Sequence, residues 1–103
     1  MKFVQAASFI FLITLMVGCA VNPPVQEFTL ARTALNAAQT SGASKYAPSL
    51  WFKAEENYRQ GENAFKKGKF EVAKQYFTES QDYSERAENK ARYDKRKLGE
   101  DIP

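Results

Sequence analysis

Residues 61–80, GENAFKKGKFEVAKQYFTES, decide the fold. On either side of Lys67-Gly68-Lys69, small and aromatic residues recur at intervals of three and four: Gly61, Ala64 and Phe65 before it, Phe70, Ala73, Phe77 and Ser80 after it. Two helical stripes separated by a glycine turn describe an antiparallel hairpin. The downstream stripe continues through Ser84, Ala87 and Ala91 in alternating steps of four and three, a narrow seam of small residues with Phe77 at its base. A helix from Phe70 to Lys97 would measure roughly 42 Å. That exceeds what its upstream partner can cover. The portion beyond Ala87 therefore projects, packs on the first helix of the domain, or meets another molecule.

Upstream, Leu50, Ala54, Tyr58, Gly61 and Phe65, flanked by Trp51 and Ala64, make one broad stripe from Pro48 to about Lys67. Proline suits the first turn, where its missing N–H would be unpaired anyway. Glu55–Arg59, Glu62–Lys66, Asp82–Arg86 and Glu88–Arg92 are spaced as i,i+4 ion pairs on the outer faces. An earlier helix is predicted from Phe28 to Thr40, with Phe28, Ala31, Leu35 and Ala38 on one face and Ala34 beside them. Ser41-Gly42 stops it, and residues 43–47 read as a loop. Branched aliphatics between Phe28 and Leu98 are limited to Leu30, Leu35, Leu50, Val72 and Leu98, so the interior must be Ala against aromatics. The expected class is all-α: three helices, a hairpin plus an N-terminal helix, with a long C-terminal helix. The helical domain spans 28–98 and a tail 99–103.

Residues 1–18, MKFVQAASFIFLITLMVG, hold 13 of the apolar residues and a single charge, Lys2. Lys2 is a minimal basic n-region and Ala6 to Val17 an apolar h-region of secretory length. The segment ends at Met16-Val17-Gly18-Cys19, which resembles the lipobox of bacterial lipoproteins, with Met16 in place of the usual Leu. The resemblance implies that 1–18 is a signal peptide and that Cys19 is diacylated on sulfur, becomes the first residue and is acylated on its amino group. An uncleaved anchor from Phe3 to Val21 is the alternative, being close to the span of a bilayer. Residues 19–27 then form a lipidated tether. Pro23 and Pro24 are expected to keep it extended, at about 3.1 Å per residue. Ala20 is not Asp, which by the same resemblance favours the outer membrane, facing the periplasm.

Composition narrows the chemistry. The chain has no His and one Cys, which removes the commonest general base and metal ligand and excludes an internal disulfide. Glu55 and Glu56 are neighbours but point about 100° apart on a helix, a poor arrangement for paired acid–base work. No enzyme activity, metal or cofactor is expected. Net charge is +3, and the charges are interspersed, so no nucleic-acid affinity is expected either.

The stretch from Gly61 to Ser80 resembles one tetratricopeptide hairpin, with small residues at 61, 73 and 80 where the helices cross and Phe70 and Phe77 as plugs. One copy cannot build a solenoid, so the resemblance implies a TPR-like hairpin only. More widely, Gly42-Ala43-x-x-Tyr46-Ala47-Pro48-x-Leu50, followed by Gly68-x-Phe70-x-x-Ala73 and a helix carrying Asp82 and Ala87, resembles an uncharacterised family of short bacterial lipoproteins, a domain of unknown function. Some members stand beside OmpA-like cell-wall modules. None follows here, so peptidoglycan binding of that kind is not carried over.

Five residues stand out as partner contacts. Trp51 and Phe52 are adjacent, so one narrow face cannot bury both, and Phe52 is expected at the surface. Lys95, Arg96 and Lys97, with Lys90 and Arg92, make a basic end that either complements the helix dipole or meets anionic lipid, lipopolysaccharide phosphate or cell-wall carboxylate. Tyr46 either packs under the Pro48 turn or offers a contact. The reading is a lipid-anchored envelope protein that binds another envelope protein. A structural spacer or self-assembling subunit, pairing through the long helix, is the alternative. Mass spectrometry of the membrane fraction checks the anchor: the mature chain should begin at a lipid-modified Cys19, and Cys19→Ala should lose that mass. Retention of Met1 to Gly18 in the wild type would contradict it.

Overall fold

The computed structural model describes residues 22–99. The expected signal peptide 1–18, the expected lipidation site Cys19, the first residues of the expected tether and the tail beyond Gly99 lie outside the described residues. Among the described residues four helices follow one another: α1 (Val25–Thr40), a single turn α2 (Ala43–Tyr46), α3 (Pro48–Lys66) and α4 (Phe70–Lys97). No strand occurs among the described residues. The all-α class, the three main helices and the long last helix stand as the periodicity describes them.

The first helix begins three residues earlier than expected. Proline breaks the helix that precedes it, but its ring fits ahead of one. Pro24, with φ −78°, serves as the N-cap of α1, and its carbonyl accepts the Phe28 N–H at 3.0 Å. Pro24 is also buried, so residues 24–27 belong to the folded domain and not to a free tether. The expected loop 43–47 is mostly helix as well. Ala43 and Ala47 are buried there, and a buried irregular backbone would leave amides unpaired. One turn of helix pairs them: Tyr46 N–H to the Gly42 carbonyl at 3.0 Å and Ala47 N–H to that of Ala43 at 2.8 Å.

The α3–α4 turn ends α3 in a Schellman arrangement. Gly68 (φ 74°) donates to the Phe65 carbonyl at 3.0 Å, and Lys69 donates to that of Ala64 at 2.9 Å. Among the described helices no N-terminus carries a side-chain cap. The helices are therefore fixed by what they bury. All six seam residues of α4, Ala73, Phe77, Ser80, Ser84, Ala87 and Ala91, are buried.

Phe77 is the largest fully buried side chain among the described residues. Its ring occupies the space that a side chain at position 61 would need: a Cβ on Gly61 would lie 2.6 Å from it. Around it stand Phe28 (5.3 Å between centroids, edge-on) and Tyr58 (5.7 Å). Phe70 sits farther out, against Phe65 at 5.5 Å. Such pairs add about 0.5–1.5 kcal/mol each beyond the area they bury. One turn on, the Ser80 hydroxyl donates to the Ala54 carbonyl at 2.8 Å, a buried bond that ties α4 to α3 at their crossing. The buried Ser84 hydroxyl has no hydrogen-bond partner, at a cost of about 1–3 kcal/mol.

Contacts between α1 and α4 advance together along both helices. Glu27 meets Lys74 at 3.8 Å, Phe28 meets Phe77, and Ser41 meets Arg92 at 3.4 Å. These two helices are parallel, and α3 runs against both. The part of α4 beyond Ala87 packs inside the molecule, where Ala87 and Ala91 meet Ala38, Ala43 and Ala47. Of the expected surface pairs, Glu55–Arg59 (3.5 Å), Asp82–Arg86 (3.6 Å) and Glu88–Arg92 (2.7 Å) form; Glu62–Lys66 does not.

Gly61→Ala should destabilise the protein by about 1–3 kcal/mol through overpacking against Phe77. Urea unfolding of Gly61→Ala, Phe77→Leu and the double variant checks this. The double variant should be more stable than the sum of the single losses predicts. Strict additivity would show that the two positions do not touch.

Candidate functional site

The parallel course of α1 and α4 gives the molecule two unlike ends. The proximal end holds the start of α1 and the α3–α4 turn. The distal end holds α2, the start of α3 and the close of α4, about 40 Å away along α4.

At the distal end the expected basic cluster meets the end of α1. Arg92, Lys95 and Arg96 line a shallow pocket of about 350 Å³ with Thr40 and Ser41. Arg92 Nε donates to Ser41 Oγ at 3.4 Å, while its Nη2 pairs with Glu88 at 2.7 Å. The stem of Lys95 packs on Gly42, where an added Cβ would come within 3.1 Å of its Cε. Its ammonium lies 5.7 Å from the centre of the Tyr46 ring, and that of Lys45 lies 4.9 Å from it. Tyr46 is half-buried and packs against the Ala38–Ala91 cluster. Lys95, Arg96 and Lys97 also complement the last turn of α4, where the free carbonyls gather. Three cations converging on two hydroxyl-bearing residues make a concave surface suited to a carboxylate or another anion.

The aromatic candidates are not part of that pocket. Trp51 is half-buried in a groove between α1 and α3, lined by Leu35, Gln39, Glu55, Tyr58 and Arg59. Phe52 is 62% exposed and lies roughly 160° around α3 from the buried Ala54. Lys97 is exposed at the last position of α4. The structure thus brings Lys95 and Arg96 together with Arg92, adds Thr40 and Ser41, and places Trp51 and Phe52 on different faces. The Thr40–Ser41 contribution had no short-range signal, since Ser41 and Arg92 are 51 positions apart.

Glu55 and Glu56 both turn to Arg59, at 3.5 and 2.8 Å, on the exposed side of α3. Hydrogen bonds from Arg59 and then Gln60 hold the Glu56 carboxyl below its usual pKa. Among the described residues no group of three or more Cys, Asp or Glu is placed to hold a metal ion. Nor is any described helix long and apolar enough to cross a membrane.

At the other end a second concavity, about 290 Å³, is lined by Phe28, Phe65 and Phe77 with Glu62 and Lys66 at its side. Tyr58, stacked on Phe28 at 5.9 Å, has its pKa raised by burial and then by the Glu62 charge. The unfolded chain therefore ionises this phenol first. Its stabilising contribution is complete below about pH 10 and falls as pH rises through the raised value. Tyr58→Phe should lose less stability than the wild type between neutral pH and pH 11, measured by chemical denaturation. Parallel losses in both proteins would contradict the burial of this phenol.

No curated protein and no solved structure matches the chain. A family model described as a domain of unknown function, DUF4398, matches residues 26–99, which takes in all four helices except the first residue of α1. The protein belongs to the DUF4398 family.

Proposed function

We propose that the protein is a lipid-anchored, non-catalytic interaction module of the bacterial cell envelope. Cys19 would carry the acyl chains, and the helical domain would face the periplasm from the outer membrane. Its distal end would receive another envelope protein through an acidic segment. One observation carries this reading: the chain leading back to Cys19 leaves at the end opposite the basic concave surface of Arg92, Lys95 and Arg96. An anchor at one end and an anion-suited surface at the other is the arrangement a tethered adaptor needs. Phe52, exposed near the same distal end, supplies an apolar contact beside it.

The rival reading, a spacer that assembles through α4, has less support. Ala87 and Ala91, the part of the seam left for a second copy, are already covered by Ala38, Ala43 and Ala47. A photo-crosslinking residue placed at Phe52 or Lys95 in living cells separates the readings. Discrete adducts with a different envelope protein are expected from these positions and not from Glu71 at the proximal end. Adducts only with copies of this chain would favour the spacer, and none at either distal position would defeat the adaptor.

A further inference from the structure

The proximal end has a composition of its own. The α3–α4 turn, Lys66-Lys67-Gly68-Lys69, places three exposed lysines within four residues. Beside it Val25 and Val72 are 57% and 42% exposed, and the Phe28–Phe65–Phe77 cleft lies between the same elements. The acidic groups nearby are Glu27, taken by Lys74 at 3.8 Å, Glu62, half-buried at the cleft, and Glu71 in the first turn of α4. Lysines flanking uncovered apolar side chains are the pattern of an interfacial surface: ammonium groups reach headgroups while valines and aromatics meet the acyl boundary.

Position supplies the occupant. Glu27 is level with Lys74, so the start of α1 stands beside the first turns of α4 and hence beside the lysine turn. Val25 is six positions on from Cys19, a reach of at most about 20 Å. If Cys19 is held in a bilayer, the turn cannot stand much farther off than that. Pro24, packed into the fold, shortens the free segment further. We propose that the Lys66-Lys67-Gly68-Lys69 turn, with Val25 and Val72, is a membrane-seating surface that binds anionic phospholipid headgroups. This rests on the lipid-anchor reading and fixes what that reading leaves open, the orientation of the domain. It also reassigns the lipid contact weighed for the C-terminal lysines, which stand about 40 Å away along α4.

Lysine footprinting of the full lipidated protein tests it, in vesicles of pure phosphatidylcholine and in vesicles containing phosphatidylglycerol. A membrane-impermeant amine reagent should label Lys66, Lys67 and Lys69 about tenfold less in the anionic vesicles, with protection lost at high salt. Lys97 should label equally in both. Lys67→Glu with Lys69→Glu should restore labelling of Lys66. Equal labelling of the turn in both vesicle types, with the lipid mass present on Cys19, would overturn the seating surface and leave the anchor standing. An N-terminal peptide carrying no lipid would overturn both.

Discussion

The packing of the Phe77 ring onto the bare backbone of Gly61 is the contact on which the rest of the structure depends. A domain whose buried residues are mostly alanines gains little from each, because a methyl group buries little area. It compensates by bringing backbones close and placing one large ring where three helices meet. Phe77 touches Phe28 from α1 and Tyr58 from α3, so the same ring sets the spacing of both neighbours. The absence of side-chain caps on the described helices makes this packing more important, since their N-termini gain no side-chain hydrogen bond.

From that contact the register follows. With Phe77 seated, Ser80 meets the Ala54 carbonyl, and the small seam carries α4 upward along α1 to Ala91. Because α1 and α4 are parallel, the chain enters the domain at the level of the α3–α4 turn. The last turn of α4 comes up beside Ser41, Gly42 and Tyr46. The seam thus sorts the lysines into two groups with different neighbours. Those of the turn sit among exposed valines; those of the distal end sit among hydroxyls, a glycine and a tyrosine.

Much of this was legible in residues 50–91. The glycine turn, the alternating seam and the stripe from Leu50 to Phe65 specify helices, and each buried seam position follows from period alone. The start of α1 lies earlier than Phe28 because the extended run expected around Pro23-Pro24 ends at Pro24, whose ring obstructs only the helix that precedes it. The turn at Ala43–Tyr46 was hidden because four residues give no periodicity; only the burial of Ala43 and Ala47 demands its hydrogen bonds. For the site, the basic residues at the end of α4 could be seen, but their company could not. Lys95 over Tyr46 and Arg92 on Ser41 depend on which helix the far half of α4 chooses. Adjacent Trp51 and Phe52 could be sorted into inside and outside, yet nothing local told which groove would take the indole.

The central claim is that one end of the rod faces the membrane and the other faces away. Quenching by a headgroup-attached quencher reads this directly, with the lipidated protein in vesicles and a single fluorophore at position 67 or at position 97. The account predicts strong quenching at 67 and essentially none at 97, about 40 Å farther along α4. Equal quenching at both positions, or stronger quenching at 97, would contradict it.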